Sequence, residues 1–178
     1  MSMLAEPPRL DDEALYEIVR GQRVEKPSMG AQSSRVGSIL CRKLDDHAEP
    51  RRAGVALSET MFILNVGEDI RRRPDVAFVS AERWPFDRSP PTGDWPLAPD
   101  LAVEIISPGD LVEKHLEKLE EYFAAGVREV WLVLPRRRAV HVWRSVLDRR
   151  IVLADGVLRT PLLPDFALPV AELFPWSE

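Results

Sequence analysis

Residues 101–134, LAVEIISPGDLVEKHLEKLEEYFAAGVREVWLVL, carry the strongest structural pattern in the chain. The opening segment, 101–106, is apolar apart from Glu104, the pattern of a strand buried on both faces. Residues 129–134 have the same character, with Val130, Trp131, Leu132 and Val133 in one run. Between them the sequence predicts a helix. Ser107 is placed as N-cap, Pro108 as the first helical residue and Asp110 as the third, a capping-box-like start. Gly126 stops the helix after Phe123-Ala124-Ala125. Strand, helix, strand implies a parallel crossover, because two parallel neighbours need a long connection.

Working outward, residues 16–25 read as a short hairpin in which Gly21 serves the turn. Residues 29–47 read as a helix, since Val36, Ile39, Leu40 and Leu44 recur at helical spacing. Residues 54–66 are β-like, and 74–80 form a short strand entered from Pro74. The segment 81–99, with five prolines and two tryptophans, reads as an irregular surface excursion. Strands are expected at 139–144 and 150–153, and a short helix or coil over 163–174. The fold class is therefore α/β, a mixed central sheet flanked by helices, in a single domain over 1–178.

The 178 residues suit one domain with its own core, and 45% hydrophobic with 30% charged residues is ordinary for a globular protein. No apolar run approaches the roughly 18 residues that span a bilayer. The start of the chain lacks a basic region followed by an apolar stretch, so a cytoplasmic setting with no membrane partner is expected. The one cysteine, Cys41, lies in the first helix and reads as a buried reduced thiol. A net charge of −5 argues against a strong non-specific nucleic-acid binder. It leaves room for a nuclease, whose metal site is itself acidic and whose arginine strips can contact phosphates. Such strips stand at 51–52, 71–73, 136–138 and 149–150, although arginines at turns are also ordinary solvated surface.

Glu104 is the most informative residue. A carboxylate amid Leu101, Ala102, Val103, Ile105 and Ile106 is costly to bury as a charge. It needs a cation, a hydrogen-bond network, a structural arginine or an opening to solvent. Asp75 opens a second apolar strand, Val76-Ala77-Phe78-Val79; alone it is an ordinary strand-end aspartate. Two such acids on neighbouring strands would need a cation between them, and hard oxygen ligands at that density suit magnesium. His47, His115 and His141 show no zinc-ligand spacing. On the second helix Leu111, Val112, Leu116, Leu119 and Phe123 form an apolar stripe. Lys118 lies about 90° from its centre, where it could reach toward the sheet or snorkel, and Lys114 about 130°, where it is solvated. Asp110 and Lys114 can pair on the surface. No Walker loop, dinucleotide fingerprint or G-x-S-x-G elbow is present.

Pro74-Asp75-Val76, Val103-Glu104-Ile105-Ile106-Ser107-Pro108, Lys118 with Tyr122, and Gly126-Val127 followed by Glu129-Val130-Trp131-Leu132-Val133 together resemble the Uma-two family of the PD-(D/E)XK nuclease superfamily. Glu17 to Gly21 is similar to the family's early glutamate-glycine turn. Leu163-Pro164-Asp165-Phe166 with Leu173-Phe174 is similar to its C-terminal signature. The resemblance implies a restriction-endonuclease-like fold and a metal-dependent endonuclease acting on DNA, with Mg2+ or Mn2+ held by Asp75, Glu104 and the Ile105 carbonyl. The lysine expected two residues after the glutamate is here Ile106, and Lys118 on the helix takes its role. Glu17 is implied as an accessory acid, with Lys114 and Tyr122 beside the site. Double-stranded DNA as partner and a homodimer follow from the superfamily. Two positions depart: Leu134 stands where the family often has aspartate, and Gln32 and Ser33 where it often has histidine. They motivate a second reading, a nuclease-fold module that binds nucleic acid or protein without cutting. A third is a structural subunit whose Trp84, Trp95 and Trp143 serve an interface.

Overall fold

The computed structural model describes residues 14–64, 66–107 and 112–176. The hairpin is β1 (Tyr16–Val19) and β2 (Gln22–Glu25), closed at Arg20 and Gly21, both with positive φ (53° and 74°). Helix α1 (Ala31–Ala48) follows, then β3 (Gly54–Ser58), β4 (Phe62–Ile63), β5 (Arg71–Arg72) and β6 (Val76–Ser80). The stretch 101–134 folds as β7 (Leu101–Ile105), α2 (Val112–Ala124) and β8 (Glu129–Leu134). Strands β9 (Ala139–Ser145), β10 (Asp148–Val152), β11 (Val157–Leu158) and β12 (Leu168–Pro169) complete the chain.

The central sheet has six strands in the order β10-β9-β8-β7-β6-β3. β7 and β8 are parallel, as the crossover requires, and the other pairings are antiparallel. A second sheet of four short strands, β2-β1-β5-β4, carries the hairpin. Alternation along β7 divides the core between two faces. Leu101, Val103 and Ile105 pack with Val36, Ile39, Leu40 and Leu44 of α1, while Ala102 packs with Leu119 and Tyr122 of α2. At Gly37 a Cβ would stand 3.3 Å from Cδ1 of Ile105, so α1 lies close beneath the end of β7.

Several expectations change. The buried face of α2 centres on Leu119 and Tyr122, while Leu116 is 45% exposed and Phe123 half-buried. The helix is thus turned so that Lys118 and Tyr122 face the sheet, because buried carboxylates there reward polar groups. Pro108, Asp110 and Leu111, and with them the cap and the Asp110–Lys114 pair, lie outside the described residues, as does the side chain of Val112. The segment 81–99 is anchored: Trp84 and Trp95 are buried and meet edge to face at 5.0 Å, with Phe62 stacked on Trp95. Those two tryptophans belong to the second core cluster and pack within their own chain. Cys41 is half-buried, and burial pushes its thiol up. No helix among the described residues is long and apolar enough to cross a membrane.

Candidate active site

β6 and β7 pair from Phe78↔Leu101 to Val76↔Val103. Continued by one residue, this register would set Asp75 opposite Glu104. Instead the strands part there. The N–H of Ile105, which a continued ladder would have bonded, donates to Oδ2 of Asp75 at 2.6 Å. A side-chain carboxylate has replaced a main-chain acceptor, which locks Asp75 to the end of β7. The parting opens a cleft of about 260 Å³ lined by Lys26, Asp75, Glu104, Ile105, Ser107 and Lys118.

Glu104 points to the α2 side, and it is 4% exposed. Nζ of Lys118 donates to both of its oxygens at 3.2 Å, and the hydroxyl of Tyr122 donates to Oε1 at 2.7 Å. Lys118 and Tyr122 are one turn apart on α2, so one face of the helix delivers both donors. The same amine donates to Oε1 of Glu17 on β1 at 3.0 Å. Glu17 is held in turn by Arg72 (Nη1 to Oε2, 2.8 Å) and by the N–H of Arg73 at 3.1 Å. Arg72 also donates to Glu121 at 2.6 Å. The structure therefore brings Asp75, Glu104, Lys118, Tyr122, Ile105 and Glu17 together. Lys114 stays exposed, on the wall of an outer cleft of about 330 Å³ shared with Glu17, Arg72 and Lys118.

Three members of the network were not singled out in the sequence. Nζ of Lys26 donates to Oδ1 of Asp75 at 2.7 Å, to Oε1 of Glu59 at 2.9 Å and to the Arg73 carbonyl at 2.9 Å. The hairpin register held a signal for it. Glu17 faces Val24, and Lys26, two residues on, continues that face. Arg72 belongs to a strip read as surface or phosphate contact. It is buried, and Arg71 and Arg73 are also engaged within the chain, with Asp69 and Asp94 and with the carbonyls of Tyr16 and Glu59. Glu59 sits in an irregular turn (φ 50°) that periodicity does not mark.

Burial pushes the carboxyls of Asp75 and Glu104 above the usual carboxylate range, even though Lys26 and Lys118 pull the other way. For Glu104 the nearby Asp75 and Glu17 add to the rise. In Glu17 burial is outweighed by Lys118, Arg72 and the Arg73 N–H, and its carboxyl lies low. Burial draws both lysines down, but the carboxylates around them outweigh it and hold them charged. Tyr122 is pushed well up, by burial first and then by Glu104. The cleft thus holds two buried acids that favour a bound proton or a cation.

These residues fit a hard divalent ion. Magnesium takes only one or two protein carboxylates and keeps several waters, and Asp75 and Glu104 supply that oxygen set at one open cleft. Among the described residues no group of three or more His, Cys, Asp and Glu is arranged to hold a metal. At the departing positions, Ser33 is buried with its Oγ 3.3 Å from Oγ of Ser107, and Leu134 is half-buried.

Residues 4–171 match the model of the Uma2 (Uma-two) family, described as "Putative restriction endonuclease". Among solved structures, a crystal structure titled as a "putative nuclease belonging to DUF820", from Anabaena variabilis, is 22% identical and superposes with a TM-score of 0.77 over 90% of each chain. No curated protein matches the chain.

Proposed function

The chain belongs to the Uma2 family, and from that premise we propose that it is a metal-dependent endonuclease hydrolysing phosphodiester bonds in double-stranded DNA. The observation that carries the reading is the meeting of Asp75, Glu104 and Lys118 at one open cleft, with the two acids buried and compensated by amines. Asp75, Glu104 and the Ile105 carbonyl would hold Mg2+ or Mn2+. A bound ion supplies Lewis-acid polarisation of a phosphoryl oxygen and a lowered pKa for water.

The chain's own residues do the rest. Lys118, whose two bonds to Glu104 are long at 3.2 Å, turns one donor away from that carboxylate to orient the attacking water and stabilise charge gathering on the phosphoryl oxygens. Tyr122 fixes the rotamer of Glu104 by its 2.7 Å bond. Glu17 acts through Lys118, as a positioning residue that Arg72 holds in place. Cutting both strands would employ two copies of the site, so a homodimer is part of the proposal, read by sedimentation.

The test is plasmid cleavage with Mg2+ or Mn2+ by the parent, Asp75→Ala, Glu104→Ala and Lys118→Ala. The proposal expects loss in each variant. Lys118→Ala cleaving as fast as the parent would remove Lys118. DNA binding without cleavage under any divalent ion would favour the non-cutting module instead.

A further inference from the structure

We propose that Lys26 is a tethered cation that stands in at Asp75 for a divalent ion, and that Glu59 is the acceptor onto which it withdraws when the ion arrives. The inference rests on the metal-binding reading above and adds two residues to it. The amine of Lys26 is seated, with its side chain 10% exposed and its three bonds going to Asp75, Glu59 and the Arg73 carbonyl. Those three bonds exhaust the donors of an ammonium group. An ion approaching Oδ1 of Asp75 therefore meets a cation already in contact with the ligand atom, and two like charges at that separation repel strongly.

The amine has a second place to go. Two of its three partners, Glu59 and the Arg73 carbonyl, remain if it leaves Asp75. Oε2 of Glu59 is buried and has no hydrogen-bond partner among the described residues. A buried carboxylate oxygen left unbonded is costly, and the donor released from Asp75 would satisfy it. Glu59 is also built into the site. Its N–H donates to the Asp75 carbonyl at 3.2 Å, and its own carbonyl accepts from Arg73 at 2.6 Å. The main chain of Glu59 is thus tied to both Asp75 and Arg73, which holds the second acid beside the amine. Lys118 has no such exit, because its other partner, Glu17, already accepts bonds at both oxygens from Arg72 and Arg73.

The experiment is calorimetric titration of Mn2+ into the full chain, into Lys26→Met and into Glu59→Gln. Lys26→Met should bind Mn2+ tighter by roughly tenfold or more, since the resident charge is gone. Glu59→Gln, which weakens the exit, should bind it several-fold more weakly. Should Lys26→Met fail to fold, Glu59→Gln still decides. If the parent binds Mn2+ and Lys26→Met binds it equally or less tightly, the stand-in role is wrong while the metal site survives. Unchanged or tighter binding by Glu59→Gln overturns the withdrawal. No binding by parent or variants overturns both this proposal and the metal-dependent reading.

Discussion

Replacing Lys118 by methionine keeps the reach of the side chain and removes its charge. The parent amine lies 3.0 Å from Glu17 and 3.2 Å from both oxygens of Glu104. Without it Glu17 keeps Arg72 and the Arg73 N–H, but among the described residues Glu104 keeps only the Tyr122 hydroxyl. The lysine side chain is 14% exposed, so solvent screens the pair little. Breaking a buried pair by removing one partner costs about 3–5 kcal/mol. At about 2–4 °C per kcal/mol for a chain of this size, the melting temperature in chelator should fall by about 6–20 °C. Magnesium should restore part of the loss, about 2.7 kcal/mol at roughly a hundred times its Kd. Pairing the change with Glu104→Gln should cost less than the two single losses added, by about 0.5–3 kcal/mol. Differential scanning calorimetry reads all of these. A single-variant loss below about 1 kcal/mol, or strict additivity, would show that the amine is solvated and compensates nothing.

Three other expectations are simpler. Asp75 and Glu104 titrate above the ordinary carboxylate range, so between the ordinary and raised values the folded chain binds more protons than the unfolded chain. Their contribution to stability therefore falls as pH rises through that window, and a divalent ion held as proposed would relieve the loss. The magnesium-induced rise in melting temperature should grow as pH rises above the ordinary carboxylate range; a rise independent of pH would contradict this. Glu17 has the opposite sign, its contribution being present above its ordinary value and lost on acidification. Tyr122→Phe removes the 2.7 Å bond to a buried carboxylate and should cost about 1.5–3 kcal/mol in urea unfolding. Trp95→Ala should cost about 3–5 kcal/mol without altering sedimentation, because Trp95 packs within its own chain.

The sequence made the central architecture legible because its signals are local. The strand–helix–strand unit at 101–134 and the spacing of α1 each follow from periodicity and punctuation that a short window contains. The acids of the site were legible for the cost they impose. Glu104 in an apolar strand asks for a partner, and the structure supplies Lys118 and Tyr122. That cost does not identify function by itself. Glu129 is equally buried in an apolar strand, and Trp131 and Arg144 satisfy it far along the sheet from the cleft. What separates the two acids is the convergence of distant segments. Lys26, Glu59 and Arg72 escaped for the same reason, since their meaning comes from partners 33 to 55 residues away. The apolar stripe on α2 holds at Leu119 and departs at Leu116 and Phe123, because a helical wheel ranks residues by hydrophobicity. Here a buried carboxylate draws Lys118 and Tyr122 inward and leaves Leu116 outside. The tryptophans of 81–99 were read by the prolines around them, while their burial depends on Phe62 from another strand.

The most direct test is a crystal structure of the protein soaked in manganese, read by anomalous scattering at the cleft between β6 and β7. One strong peak is expected within coordination distance of both the Asp75 and the Glu104 carboxylates, with the Lys26 amine moved off Oδ1. An empty cleft with both lysines still seated on the acids, under manganese that the crystal takes up elsewhere, would contradict it.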